Sequence, residues 1–272
     1  MTRALVVGSS HIGALRGAAG EMATSYPDLD VQYFGVMGPN FLLATLGKDQ
    51  LFRPRFRRKD VGGREFALKV NGADHIDTSA FDHVLSVGHR FGFDRMAALL
   101  AENDVLEGAR SGRARVIPRQ LLSEVIETMA GESTDIFIKR MRGRAGLSVA
   151  LAPYPSTGIV GMTKAPAFAR ICAALWAHPD AEAFFHDWLR FVDRRLEHAG
   201  HRLLPQPAAT VAGPFATKPA FAVNRRDMKG GAVAAEADHR HMNAAFGQCV
   251  LDAFARQHLG LTPNHPFSDA AE

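Results

Sequence analysis

The chain has 272 residues, 47% of them hydrophobic and 22% charged, with a formal net charge of +4 and a pI near 9.3. That length can bury a large α/β core, and the composition is that of an ordinary soluble globular protein. The charge balance does not by itself point to a nucleic-acid partner. No apolar run approaches the ~20 residues that cross a bilayer, and Met1 leads into a strand, not into a signal-like segment. No membrane contact and a cytoplasmic location are therefore expected.

Short apolar runs alternate with longer helical patterns, the rhythm of a mostly parallel sheet covered by helices. Leu5–Val7 reads as the first strand and opens into Gly8-Ser9-Ser10-His11; the Ala-rich stretch Gly13–Thr24 reads as a helix stopped at Tyr26-Pro27. Val31–Val36 is the second strand, followed by Met37-Gly38-Pro39-Asn40. Residues from Asn40 to Ile76 break the rhythm. They carry Arg53-Pro54-Arg55-Phe56-Arg57-Arg58-Lys59, five cations in seven residues, and a hairpin is expected around Asn71-Gly72. The basic run reads as a solvated arm or as a patch that steers an anion. It lacks the aromatic series of a nucleic-acid platform.

Phe81–Gly88 is the third strand and runs into His89-Arg90. Leu121, Leu122, Val125, Ile126 and Met129 mark the core face of a helix. Leu147–Ala152 is the fourth strand, ended by Pro153-Tyr154-Pro155-Ser156; Phe184, Trp188, Phe191, Val192 and Leu196 form another helical stripe; His201–Leu204 is the fifth strand. A second insertion spans Gln206–Glu236 and includes Asn224-Arg225-Arg226-Asp227. Asp238-His239-Arg240-His241-Met242-Asn243 then leads into a closing helix over Asn243–His258. The whole chain, 1–272, reads as one domain with insertions at about 40–76 and 206–236. Cys172 and Cys249 lie in apolar helical stretches and are expected as free buried thiols. No Cys/His spacing fits zinc, and neither a metal nor a cofactor is expected. Gly8 and Gly13 have the spacing of a phosphate loop, but Ala14-Leu15 stands where that loop needs Lys and Ser or Thr.

In open α/β sheets, ligands bind beyond the carboxyl ends of the strands. Those ends supply Ser9, Ser10 and His11, Gly38 and Asn40, His89 and Arg90, and Pro153-Tyr154-Pro155-Ser156, while Asp238 with His241, or its rival His239, returns in a loop. A serine becomes a nucleophile when an imidazole takes its proton and a carboxylate orients the imidazole. Each part also has a structural use, since Ser and Asp are ordinary helix caps.

Gly8-Ser9-Ser10 near the start, and Asp238-x-x-His241-x-Asn243-x-x-Phe246-Gly247 near the end, resemble the first and last blocks of the SGNH (GDSL-type) hydrolase family. The strand rhythm matches over essentially the whole chain. The resemblance implies a three-layer α/β/α sandwich with a mostly parallel, flavodoxin-like five-stranded sheet, an ester or acyl substrate, and no metal. It makes Ser10 the nucleophile, His241 the base and Asp238 its orienting carboxylate, with His239 the rival base. It puts oxyanion donors at the N–H groups of Ser10 and Gly38 and at a side chain after the third strand. The family has Gly-x-Asn there; this chain has Gly88-His89-Arg90, so Arg90, His89 and Asn40 are the candidates. The function implied is a serine esterase or deacetylase acting on a small-molecule or carbohydrate ester. Its alternatives are an O-acyltransferase using the same triad, and a binding protein that kept the fold without the catalysis.

Overall fold

A computed structural model of the chain describes residues 1–57, 61–161, 165–223 and 238–265. Strands β1 (Thr2–Gly8), β2 (Leu29–Gly35), β3 (His83–His89), β4 (Ser148–Leu151) and β5 (Arg202–Leu204) pair in the order β5-β4-β3-β1-β2, every neighbour parallel. This is the flavodoxin-like order, in which the chain reverses direction across the sheet between β1 and β3. Each strand overlaps the one expected from the sequence. Alternation within β1 sends Leu5 and Val7 into one apolar layer and Ala4 and Val6 into the other, which is why the strand is apolar without interruption.

Helices α1 (Ile12–Gly17), α2 (Ala19–Ser25) and α9 (Ala244–Leu259) supply the layer against Ala4 and Val6. The opposite layer is built from α5 (Phe93–Glu102), α6 (Arg119–Arg140) and α8 (Ala181–His198), with α7 (Pro166–Trp176) contributing Leu175. The helix expected over Gly13–Thr24 is two helices. The chain bends at Ala18, whose N–H reaches back three residues to the Leu15 carbonyl (3.2 Å). On α6, Leu122 and Ile126 are buried but Leu121 is 48% exposed. One residue along a helix is a rotation of about 100°, which takes Leu121 off the buried stripe.

The insertion at 40–76 holds α3 (Gly38–Leu42), a small antiparallel sheet of Thr45–Leu46, Leu51–Arg53 and Ile76–Asp77, and α4 (Val61–Asn71). The expected hairpin at Asn71-Gly72 is instead the end of α4. Gly72 has φ +73° and donates its N–H to the Leu68 carbonyl (2.9 Å), a left-handed helix stop that suits glycine. The Asn71 amide exchanges two hydrogen bonds with the backbone of Gly35 at the end of β2 (2.9 and 2.8 Å). Of the basic run, Arg53 pairs with Asp49 at 2.7 Å, and Arg58 and Lys59 lie outside the described residues. The second insertion is described to residue 223 and contains the antiparallel pair Val211–Gly213 and Ala216–Thr217. Its segment Asn224-Arg225-Arg226-Asp227 lies outside the described residues. Neither cysteine is in a disulfide among the described residues; Cys172 is buried and Cys249 half-buried.

Helices α1 and α9 cross with almost no space between them. A methyl group placed on Gly247 would lie 2.0 Å from the Ala14 carbonyl oxygen and 2.7 Å from the Leu15 nitrogen. Gly17 and Ala244 make the same close approach one turn away, with 3.1 Å between the methyl of Ala244 and the position a Cβ would take on Gly17. Only backbone is in the way at Gly247, and backbone cannot swing aside as a side chain can.

Two buried histidines, His11 and His89, and the half-buried His258 are pushed towards their neutral forms in this fold. Burial, and then the neighbouring His241, Arg90 and Arg240, bring His11 down from the ordinary 6.5 to about 3. Burial alone brings His89 to about 3. Burial and Arg202 bring His258 to about 4, where its Nδ1 and the Ser148 hydroxyl share a 2.7 Å hydrogen bond.

Two outcomes follow. Gly247→Ala lowers the free energy of unfolding by roughly 1–3 kcal/mol, the usual cost of overpacking, read from urea denaturation. Below the ordinary histidine pKa the unfolded chain takes up protons that folded His11, His89 and His258 refuse, so stability falls as pH drops from 6.5 towards 3. Thermal melting over that window shows the decline, and His89→Phe, which keeps a ring in place, makes it shallower.

Candidate active site

The turn after β1 leaves Ser10 exposed, while Ser9 and His11 on either side of it are buried. The turn closes through Ile12 N–H to the Ser9 carbonyl (3.0 Å) and Gly13 N–H to the Ser10 carbonyl (3.1 Å). These bonds start α1 and aim the Ser10 side chain off the end of the sheet.

The partner comes from strand β6 (Asp238–Met242), which runs antiparallel to Ala222–Val223 and ends at Asn243. Asn243 caps α9. Its Oδ1 accepts from the Phe246 N–H (3.1 Å), and its Nδ2 donates to the Ala220 carbonyl (2.8 Å). Asparagine is a preferred residue at this position because its short side chain satisfies a helix N–H. The cap fixes the direction in which the preceding residues leave the helix.

His241 Nε2 lies 2.9 Å from the Ser10 hydroxyl oxygen, and His241 Nδ1 lies 2.6 Å from Asp238 Oδ2. Asp238 Oδ1 accepts from the backbone N–H groups of Arg240 (2.9 Å) and His241 (3.2 Å). Partial burial of Asp238 disfavours its charge, but the His241 hydrogen bond and these two N–H groups prevail and hold the carboxyl down at about 2. An ionised carboxylate only accepts, so the proton sits on Nδ1 and Nε2 is left to accept from the serine. The tautomer is therefore the one in which the imidazole can take the Ser10 proton. His239 stands apart: its Nδ1 is 3.2 Å from the buried hydroxyl of Ser156, whose N–H donates to the His239 carbonyl (2.9 Å).

The pair opens into a cleft of about 780 Å³ lined by Ser10, Gly38, His89, Arg90 and His241 among others. Gly38 begins α3, where backbone N–H groups have no partner within the helix. Asn40 does not reach the cleft. It is 2% exposed, and its amide donates to the Arg55 carbonyl (3.0 Å), tying the insertion to α3. His89 lines the cleft, but its Nε2 is engaged with the Ser86 hydroxyl at 2.8 Å and its ring is stacked on Phe91. Arg90 reaches the cleft and pairs with Asp94 at 2.5 Å.

The turn that carries Arg90 is shaped by residues without side-chain chemistry. Gly88 has φ +105°, and a Cβ there would press on the His11 ring and the Ser9 hydroxyl, both at 3.2 Å. Phe91 has φ +37°, which is uncommon for a residue with a side chain. The Trp188 indole N–H, donating to the Phe91 carbonyl (2.9 Å), holds it there.

Sequence reasoning missed several lining residues. His11 is not one of them, since the sequence already puts it at the carboxyl end of the first strand but assigns it no role: its ring lies 5.3 Å from that of His241, and its buried Nδ1 has no partner among the described residues. Phe41, Leu42, Ile136, Phe137 and Arg140 are among those missed, brought in by α3 and α6. No short-range signal marks them, because their shared wall exists only once α6 crosses the sheet. Among the described residues, no group of three or more His, Cys, Asp or Glu side chains is placed to hold a metal ion.

No family model and no curated protein matches the chain. Among solved structures it is similar to an extracellular lipase from Streptomyces rimosus, with 13% identity over 93% of this chain and 99% of that one and a TM-score of 0.36.

Proposed function

We propose that the protein is a serine-dependent ester hydrolase with Ser10 as nucleophile, His241 as general base and Asp238 as its orienting carboxylate. The observation that carries this reading is the unbroken Asp238–His241–Ser10 hydrogen-bond chain, 2.6 and 2.9 Å, opening into the cleft of about 780 Å³. A serine, an imidazole and a carboxylate in this connectivity are the parts that acyl transfer needs.

In this mechanism Ser10 Oγ attacks the ester carbonyl carbon as His241 Nε2 removes its proton. The carbonyl π electrons move onto oxygen and form a tetrahedral oxyanion. The backbone N–H groups of Ser10 and Gly38 are the proposed donors to that charge, which appears only as the reaction proceeds. Arg90 is the proposed third donor, standing where the resemblance expects Asn. The oxyanion collapses and expels the alcohol oxygen, which takes the proton from His241. Water then attacks the acyl-enzyme with His241 again as base, releasing the acid and restoring Ser10. Asp238 keeps the imidazole in the correct tautomer and stabilises the imidazolium formed at each step.

Acyl transfer to a second alcohol shares every step up to the acyl-enzyme, so release of free acid from an ester without added polyol separates hydrolysis from transfer. Ser10→Ala removes turnover of 4-nitrophenyl acetate by at least about 10³-fold, and Asp238→Asn by about 10²- to 10⁴-fold because the amide favours the wrong tautomer. A fluorophosphonate probe labels Ser10 in the folded wild-type protein and leaves Ser10→Ala unlabelled. Undiminished turnover in Ser10→Ala would overturn the reading.

A further inference from the structure

Four guanidinium groups, Arg90, Arg95, Arg140 and Arg240, line the cleft beside Ser10, and Asp94 is the sole carboxylate among its described lining residues. Asp94 pairs with Arg90 at 2.5 Å. Arg95 faces Glu132 at 3.9 Å, and with side chains 71% and 64% exposed that pair holds little. Arg140, at the end of α6, donates to the Leu42 carbonyl. Arg240 lies over the Phe168 ring, 5.3 Å from its centre. A carbonyl and an aromatic face leave a positive charge uncancelled. Among the described residues, neither Arg140 nor Arg240 has a carboxylate within ion-pair distance. Each guanidinium carries five N–H donors in a planar fork that fits a carboxylate or phosphate two bonds at a time.

The positive field reaches the cleft wall beside the Ser10–His241 pair. Arg90 and Arg240 both act against a charge on His11, whose ring adjoins that of His241. Leu42 and Ile136, 59% and 49% exposed, offer apolar surface in the same cleft.

We infer that the cleft selects esters that bear an anionic group, held by the guanidinium groups of Arg140 and Arg240 while an apolar portion rests on Leu42 and Ile136. The inference rests on the ester-hydrolase reading for its reaction, and on the charge distribution for its specificity. Such charge also draws anionic substrates into the cleft faster than neutral ones, an effect that salt screens.

The test uses matched esters. On the acyl side, mono(4-nitrophenyl) glutarate is compared with its neutral methyl ester; on the alcohol side, 4-acetoxybenzoate is compared with methyl 4-acetoxybenzoate. In at least one pair the anionic member has the higher kcat/KM, by about tenfold or more, equivalent to ~1.4 kcal/mol. The pair that shows it tells which side of the ester carries the anion. The preference shrinks from about 0.05 M to about 0.5 M NaCl. It also shrinks in Arg140→Gln and Arg240→Gln, survives in larger part in Arg140→Lys, and is kept in Arg190→Gln, which does not line the cleft. A separate calorimetric arm measures binding of the same esters to Ser10→Ala. If the wild type hydrolyses no ester, the hydrolase reading fails, while anion-selective binding that Arg140→Gln or Arg240→Gln abolishes keeps the specificity inference. No preference for the anionic member in turnover or in binding would overturn the inference, even in an active esterase.

Discussion

The close crossing of α1 and α9 is the constraint on which the candidate site depends. Ser10 stands immediately before one helix and the segment ending in His241 immediately before the other, 231 positions apart in sequence. No loop joins them. Their 2.9 Å contact is set by how near two helix axes can come, and that is set by Gly247 against the Ala14 and Leu15 backbone and by Gly17 against Ala244. A bulkier residue at either crossing point would hold the helices apart by more than a hydrogen bond can span. Interiors are packed too densely to absorb such a displacement locally.

Much of this was readable from the residues. The five strands are legible because parallel strands buried on both faces must be largely apolar: Ala4–Val7 of β1 is apolar without a break, and β3 admits a buried Ser86 whose hydroxyl is paired with His89 at 2.8 Å. Ser10 is legible because it sits where β1 turns into α1, and Asp238 with His241 because they stand just before the helix that Asn243 caps, although they lie in strand β6 and not in the expected loop. What could not be read depends on contacts made far away. Asn71-Gly72 has the composition of a hairpin turn, yet the same glycine freedom ends a helix once Asn71 can reach the backbone of Gly35. Asn40 has the chemistry of an oxyanion donor, but the Arg55 carbonyl claims its amide. Arg140 gave no sign at all, because nothing in α6 reveals which end of that helix overlooks the carboxyl edge of the sheet.

The electrostatics of the cleft follow from a division of labour among its histidines. His11 and His89 are deprived of charge by burial, and His11 also by its cationic neighbours. His241 is half-exposed and tied to an ionised carboxylate. Neutral rings can pack beside arginines without repulsion, so His11 sits near Arg90 and Arg240, beside the His241 ring, and the rings beneath it form a buried floor. Phe41, Phe91 and Phe137 complete that floor by ring contacts to His89.

Asn243 carries a last consequence. The ribbon bearing Asp238 and His241 is paired with a strand of only two residues, Ala222–Val223, too short to hold a rigid geometry unaided. Its position is borrowed from the asparagine that both begins α9 and grips the Ala220 carbonyl. The acid–base pair therefore inherits its order from the longest-buried helix on that face. Fraying at this one cap would displace the His241 imidazole while leaving the five-stranded sheet intact, so the Ser10–His241 alignment depends on one helix end more than the architecture does.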